Sequence, residues 1–248
     1  MNRAFFLGVS FLSILTICCG LMLPKKKLTI WMMGDSTMAI KAPNKFPETG
    51  WGVAFAKLFN EDVMIKNMAK NGRSTKSFIR EGLWNEVYRG IQPGDYVLIQ
   101  FGHNDEKIHK PNTGVTIDEY KKNLSLFVRA VQGKKATPIL LSPIARRSFV
   151  DEELQDTHMN YPTAVRQVAD SLQASFLDLT ELSTALLVKE GELKSRELFL
   201  HLPKGSPNYP EGVIDNTHLN EKGAASIAAL VANELRRQRH PLAKELKK

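Results

Sequence analysis

Leu28-Thr29-Ile30-Trp31-Met32-Met33-Gly34-Asp35-Ser36-Thr37 is the stretch from which the fold can be read. Its first six residues are nearly all apolar and have the length of a strand, and Gly-Asp-Ser-Thr ends the run abruptly. An apolar run without polar alternation indicates a strand covered on both faces, the situation of a parallel sheet between two helical layers. Comparable runs recur at 63–67, 96–101, 138–141 and 175–179. The spacing predicts helices over 52–59, 75–80, 83–88, 117–132, 162–172, 179–189 and 221–238. Strands alternating with helices predict an α/β fold with a mainly parallel five-stranded sheet.

In such a sheet the functional loops gather beyond the carboxyl ends of the strands. Ser36 follows the first predicted strand, Asn71-Gly72 the second, and Gly102-His103-Asn104-Asp105 the third. Asp215-Asn216-Thr217-His218 precedes the last helix, whose start is marked by Asn220. All four segments are therefore expected at one edge.

The chain has 248 residues, a length that suits one domain over 21–248. Residues 1–20 read as an export signal: Arg3, then an uncharged apolar run, then Cys18-Cys19-Gly20. The run is short for a membrane span, so no stable membrane insertion is expected. A periplasmic or secreted product follows, with lipid anchoring through Cys18 or Cys19 as the alternative. Both cysteines lie in this segment, which leaves no disulfide for the rest of the chain.

Lys and Arg number 34 against 26 Asp and Glu, a net charge of +8. The runs Arg236-Arg237-Gln238-Arg239 and Lys244 to Lys248 read as a helix end and a tail. They are not interleaved with aromatics and no recognition motif accompanies them, so nucleic acid is not an expected partner. An acidic polysaccharide suits an exported basic protein better. Arg146, Arg147 and His158 are candidates for a wall facing such a substrate, and two irregular stretches, 41–49 and 203–214, are candidate cleft loops.

A serine hydroxyl attacks carbonyls only when a base takes its proton and donors receive the developing oxyanion. Ser36 is the candidate nucleophile. His218, three residues after Asp215, is the candidate base; a helical turn would put both side chains on one face, with Asp215 orienting the ring. The amides of Ser36 and Gly72 and the side chain of Asn104 are candidate oxyanion donors. Taken singly, each segment has an ordinary reading: a strand-end turn or helix cap at Ser36, a helix cap at Asp215, a turn-forming residue at Asn104, a positive-φ turn at Gly72. Their coincidence at successive strand ends favours the site. No HExxH or His/Cys cluster suggests a metal, and no metal or organic cofactor is expected. His103, His109, His158 and His201 lack such partner spacing and are assigned structural or surface roles. Trp51 is either a sugar platform or a core aromatic.

These segments resemble the blocks of the SGNH, or GDSL-like, hydrolase superfamily: Gly34-Asp35-Ser36-Thr37, Gly72, Gly102-His103-Asn104-Asp105 and Asp215-Asn216-Thr217-His218. Thr37 replaces the leucine of the namesake motif, as in rhamnogalacturonan acetylesterases and related pectin or xylan acetylesterases. The resemblance implies a flavodoxin-like three-layer α/β/α fold, a Ser36, His218, Asp215 triad, and oxyanion donors from Ser36, Gly72 and Asn104. It also implies removal of O-acetyl groups from plant cell-wall polysaccharide, rhamnogalacturonan or pectin first. Acetyl xylan esterase or another GDSL-type esterase or lipase is the alternative, and a noncatalytic carbohydrate-binding protein on the same fold is the rival from another class.

Overall fold

A computed structural model describes residues 27–247. The predicted export segment lies outside the described residues. In chain order the elements are β1 (Leu28–Gly34), α1 (Trp51–Ala56), β2 (Val63–Asn67), α2 (Thr75–Arg80), α3 (Leu83–Gly90), β3 (Tyr96–Gln100), α4 (Ile117–Gly133), β4 (Thr137–Leu141), β5 (Phe149–Val150), β6 (Glu153–Leu154), α5 (Tyr161–Leu172), β7 (Ser175–Leu177), α6 (Leu179–Ser195), β8 (Phe199–Leu202), β9 (Val213–Leu219) and α7 (Glu221–Arg237). The central sheet is wholly parallel, in the order β2-β1-β3-β4-β7.

The period of two along a strand divides the apolar runs between two cores. Ile30, Met32, Leu98, Ile139 and Leu141 pack in one core with residues of α1, α6 and α7. Trp31, Met33, Val97, Ile99 and Leu140 pack in the other with residues of α2, α3, α4 and α5. The runs are apolar throughout because each face has a helical layer to bury against. This is the expected three-layer α/β/α arrangement.

β1 is flanked by β2 on one side and β3 on the other, so the chain reverses its winding direction there. Gly34 stands in register with Gln100, which brings the carboxyl ends of β1 and β3 level. A crevice beyond that reversal is where open α/β sheets bind ligands.

Predicted and observed boundaries differ by a few residues at most of the shared elements. The predicted helix over 52–59 is shorter, Trp51–Ala56. The helix predicted over 179–189 continues to Ser195 through a kink at Gly191, whose φ of 72° and ψ of 171° are not helical. The stretch 203–214, expected to be irregular, is so through 203–212, and its last two residues open β9. It is the tip of an antiparallel hairpin between β8 and β9, outside the central sheet. Another small hairpin, β5 with β6, lies between Arg147 and His158. Among the described residues no helix is long and apolar enough to cross a membrane.

Candidate active site

The residues after β1 form a tight turn in which the Asp35 carbonyl accepts hydrogen bonds from the Met38 and Ala39 amides at 3.3 and 3.1 Å. The Asp35 carboxylate reinforces it: Oδ1 accepts from the Thr37 amide at 2.9 Å and from the Thr37 hydroxyl at 2.8 Å. Trp51 is fully buried and donates its ring N–H to Gln100 Oε1 at 3.0 Å, beside the Thr37 hydroxyl at 3.1 Å. It is therefore a core aromatic. A leucine at position 37 has no hydroxyl for these partners. Ser36 caps no helix; α1 begins at Trp51, with Gly50 as its N-cap.

On the far side of the chain, β9 delivers the other two members. Leu200 pairs with Asp215 while its neighbour Phe199 pairs with Leu219, so Asn216, Thr217 and His218 bulge from the hairpin. The helical turn expected to align Asp215 with His218 is absent. The bulge does that work instead: Asp215 Oδ1 accepts the amides of Thr217 and His218 at 2.7 and 2.9 Å, and Oδ2 meets His218 Nδ1 at 2.7 Å. His218 Nε2 lies 2.9 Å from Ser36 Oγ. Burial alone would raise the Asp215 pKa, but the bonds from the His218 ring and the two amides outweigh it and hold the carboxyl at about 2. A hydroxyl, an imidazole and an ionised carboxylate thus form one continuous hydrogen-bonded chain. Such a chain is equipped to take the serine proton.

Arg147 supports the bulge from behind. Its amide donates to the Asn216 carbonyl at 2.9 Å and its guanidinium to Asn216 Oδ1 at 3.0 Å, with a further bond to Ser195 Oγ at 3.1 Å. Arg146 pairs with Glu106, which also bonds His158 Nδ1 at 2.7 Å. The proposed wall of Arg146, Arg147 and His158 is thus engaged internally, and His158 and Arg147 are buried. Nothing in the sequence pattern announces these pairings, because the partners are 40 to 69 residues apart.

The loops after β2 and β3 are bonded to each other and, through Lys41, to the serine turn. Gly72 has φ of +75°, a conformation that favours glycine. Asn104 Nδ2 donates to the Arg73 carbonyl at 3.1 Å, tying its loop to that of Gly72; the amide's second hydrogen is not used in this bond. Gly102 has φ of +148°, and a Cβ there would lie 2.8 Å from Pro143. Lys41 was not anticipated. Its ammonium donates to the Ser36 carbonyl at 2.6 Å and to Asn71 Oδ1 at 2.9 Å, and pairs with Glu48 at 2.6 Å. It fastens the serine turn to the Asn71-Gly72 loop. Among the described residues no group of three or more His, Cys, Asp or Glu side chains is placed to hold a metal.

A family model described as GDSL-like Lipase/Acylhydrolase matches residues 32–225. Rhamnogalacturonan acetylesterase RhgT of Bacillus subtilis is 37% identical over 220 residues, 88% of this chain and 94% of the relative. A probable rhamnogalacturonan acetylesterase, YesY, of the same organism is 30% identical over 88% of this chain and 96% of its own length. Among solved structures, that of the B. subtilis protein YxiM matches with a TM-score of 0.74 and 26% identity, over 87% of this chain and 58% of that one. The match to the family model and to full-length relatives, over the segments that bring Ser36, Asp215 and His218 together, shows that the chain belongs to the GDSL-like lipase/acylhydrolase family.

Proposed function

We propose that the chain removes O-acetyl groups from a cell-wall polysaccharide, with rhamnogalacturonan as the favoured substrate, through an acetyl-serine on Ser36. The observation that carries this reading is the continuous Ser36–His218–Asp215 chain, 2.9 and 2.7 Å long at its two links. The names of the relatives RhgT and YesY support the substrate.

His218 Nε2 takes the proton as Ser36 Oγ bonds to the acetyl carbon. Asp215 stabilises the imidazolium that results and keeps the ring's Nδ1 side occupied. The carbonyl oxygen becomes an oxyanion received by the amides of Ser36 and Gly72 and by Asn104 Nδ2, each worth about 3 kcal/mol to the transition state. When the tetrahedral species collapses, the carbon–oxygen bond to the sugar breaks and His218 returns its proton to the departing hydroxyl. Water then repeats the sequence on acetyl-Ser36 and releases acetate.

Ser36→Ala is the test. Acetate release from acetylated rhamnogalacturonan should fall on the order of 10³-fold or more, while binding of the polymer persists. Undiminished release would remove Ser36 from the mechanism, and binding without turnover in the unaltered chain would favour a carbohydrate-binding protein.

A further inference from the structure

Three cations brace the loops that carry the proposed oxyanion donors. Lys41 holds the Ser36 carbonyl, Arg73 donates to the Asn71 carbonyl at 2.7 Å beside Gly72, and Lys107 donates to Asn104 Oδ1 at 2.9 Å. Two of the three are neutralised: Lys41 by Glu48 at 2.6 Å, and Arg73 by Glu81 at 2.8 Å. Lys107 is different. Among the described residues no carboxylate forms an ion pair with it, since its neighbour Glu106 is taken by Arg146 and His158.

We propose that Lys107 is a specificity-determining residue that receives the carboxylate of a uronic acid unit whose acetyl ester lies over Ser36. The inference rests on the esterase reading above and adds the anionic sugar to it. In an O-acetylated uronosyl residue the ester and the carboxylate belong to one pyranose ring, so an anchor for the carboxylate must lie about a ring's breadth from the oxyanion donors. Lys107 meets that requirement: its ammonium touches one end of the amide whose other end is the proposed donor. An ammonium has three hydrogens, and the bond to Asn104 uses one.

The surroundings point the same way. Burial, together with the nearby Arg146 and Lys110 cations, lowers the Lys107 pKa, so the resting site disfavours its positive charge. An incoming carboxylate relieves that. The bond to Asn104 Oδ1 also polarises the amide toward stronger donation from Nδ2, which couples recognition of the acid to stabilisation of the oxyanion. Lys107 is half-buried, where a single ion pair counts for more than at an open surface.

The experiment compares kcat/KM for an acetylated rhamnogalacturonan oligosaccharide with that for its methyl ester, in which the same carboxylates are uncharged. Unaltered protein should prefer the acid. Lys107→Gln should lower both values, because Asn104 loses its brace, but should lower the acid-to-ester ratio about tenfold, mainly through KM. Lys107→Arg should restore most of the ratio. An unchanged ratio in Lys107→Gln overturns the proposal and leaves Lys107 as a brace for Asn104 alone; so does an unaltered protein that prefers neither form. If unaltered protein deacetylates an acetylated xylo-oligosaccharide but neither rhamnogalacturonan form, the substrate reading is what fails, and the role of Lys107 falls with it.

Discussion

Two aspartate–histidine pairs lie within this fold, one at the sheet edge and one beneath it, and they are built to opposite ends. The side chains of His218 and Asp215 are 29% and 27% exposed, meet at 2.7 Å, and leave the second ring nitrogen for Ser36. Those of His103 and Asp35 are 2% and 0% exposed and approach to 3.3 Å without hydrogen-bond alignment, so the ring nitrogens of His103 have no hydrogen-bond partner among the described residues. Burial pushes His103 down to about 4, against an attraction to Asp35 that would raise it. A neutral ring whose side chain is 2% exposed is out of a polysaccharide's reach. The Asp35 carboxyl, which burial would raise, is held at about 2 by the His103 ring and the two Thr37 donors, and through Thr37 it shapes the turn that presents Ser36. The outer pair has the arrangement that the proposed proton transfer requires, whereas the inner one holds a backbone turn.

The largest expected effect separates the pairs at their carboxylates. Asp215→Asn keeps an oxygen for the Thr217 and His218 amides but removes the charge opposite the ring, and it turns the ring toward the wrong tautomer. Acetyl-ester turnover should drop about 10³- to 10⁴-fold. The melting temperature should move by less than about 4 °C, because the pair is part-exposed. Asp215 stays ionised down to about 2, so the acid limb of the pH–rate profile does not report its protonation. A loss below tenfold would erase the distinction drawn between the two pairs.

The contrast also marks how far the sequence can be read. The five strands and seven helices follow from apolar period and from caps such as Asn220, whose Oδ1 accepts the Gly223 amide at 3.0 Å. The positions of Ser36, Gly72 and Asn104 were legible because the ends of β1, β2 and β3 lie at one edge of a parallel sheet, and Asp215 and His218 drew attention only by their spacing. The β8–β9 hairpin was not legible, since its Pro- and Gly-rich tip hides two short strands and no periodicity marks a bulge. Lys41 and Lys107 were invisible for a different reason, and Arg147 was singled out for a substrate where its partners are Asn216 and Ser195. A surface lysine and a lysine that grips the Ser36 carbonyl look alike until distant loops meet. Asp35 and His103 stood inside quoted motifs, yet their pairing needs the parallel register of β1 with β3.

A middle-sized effect is expected in stability. His103→Leu removes a buried ring, neutral at pH 7, from beside the Asp35 carboxylate, at a cost of about 1–3 kcal/mol, with little direct effect on the proton-transfer chain. The pH dependence sharpens this. Because His103 is lowered to about 4 from 6.5, the unfolded chain binds a proton in that window that the folded one refuses, and stability is lost as pH falls through it. Burial raises Asp105 from 3.8 to about 7, despite bonds from the Thr75 amide and hydroxyl, so the folded chain holds an extra proton and stability is gained as pH falls from 7 toward 4. The two slopes oppose each other in the unaltered protein. His103→Leu removes one of them, so urea midpoints for the variant should rise between pH 7 and pH 5, whereas those of the unaltered protein change less. Parallel profiles would mean that His103 does not titrate as an interior base.

The smallest effect is the most discriminating, because it applies to the inner pair the same substitution that disables the outer one. Asp35→Asn retains a carbonyl oxygen for the Thr37 amide and hydroxyl, so the turn under Ser36 should survive. Its new amide can donate toward His103 Nδ1, which is neutral at the working pH and able to accept. Turnover should therefore fall by less than about tenfold, a change of no more than about 1.4 kcal/mol in the barrier. Asp35→Ala, which deletes both bonds to Thr37, should fall further and lose stability as well. If Asp35→Asn instead matched Asp215→Asn, the negative charge beneath the serine turn would itself be acting on the reaction. The inner pair would then belong to the proton chemistry, and the separation of a working pair from a supporting one would not hold.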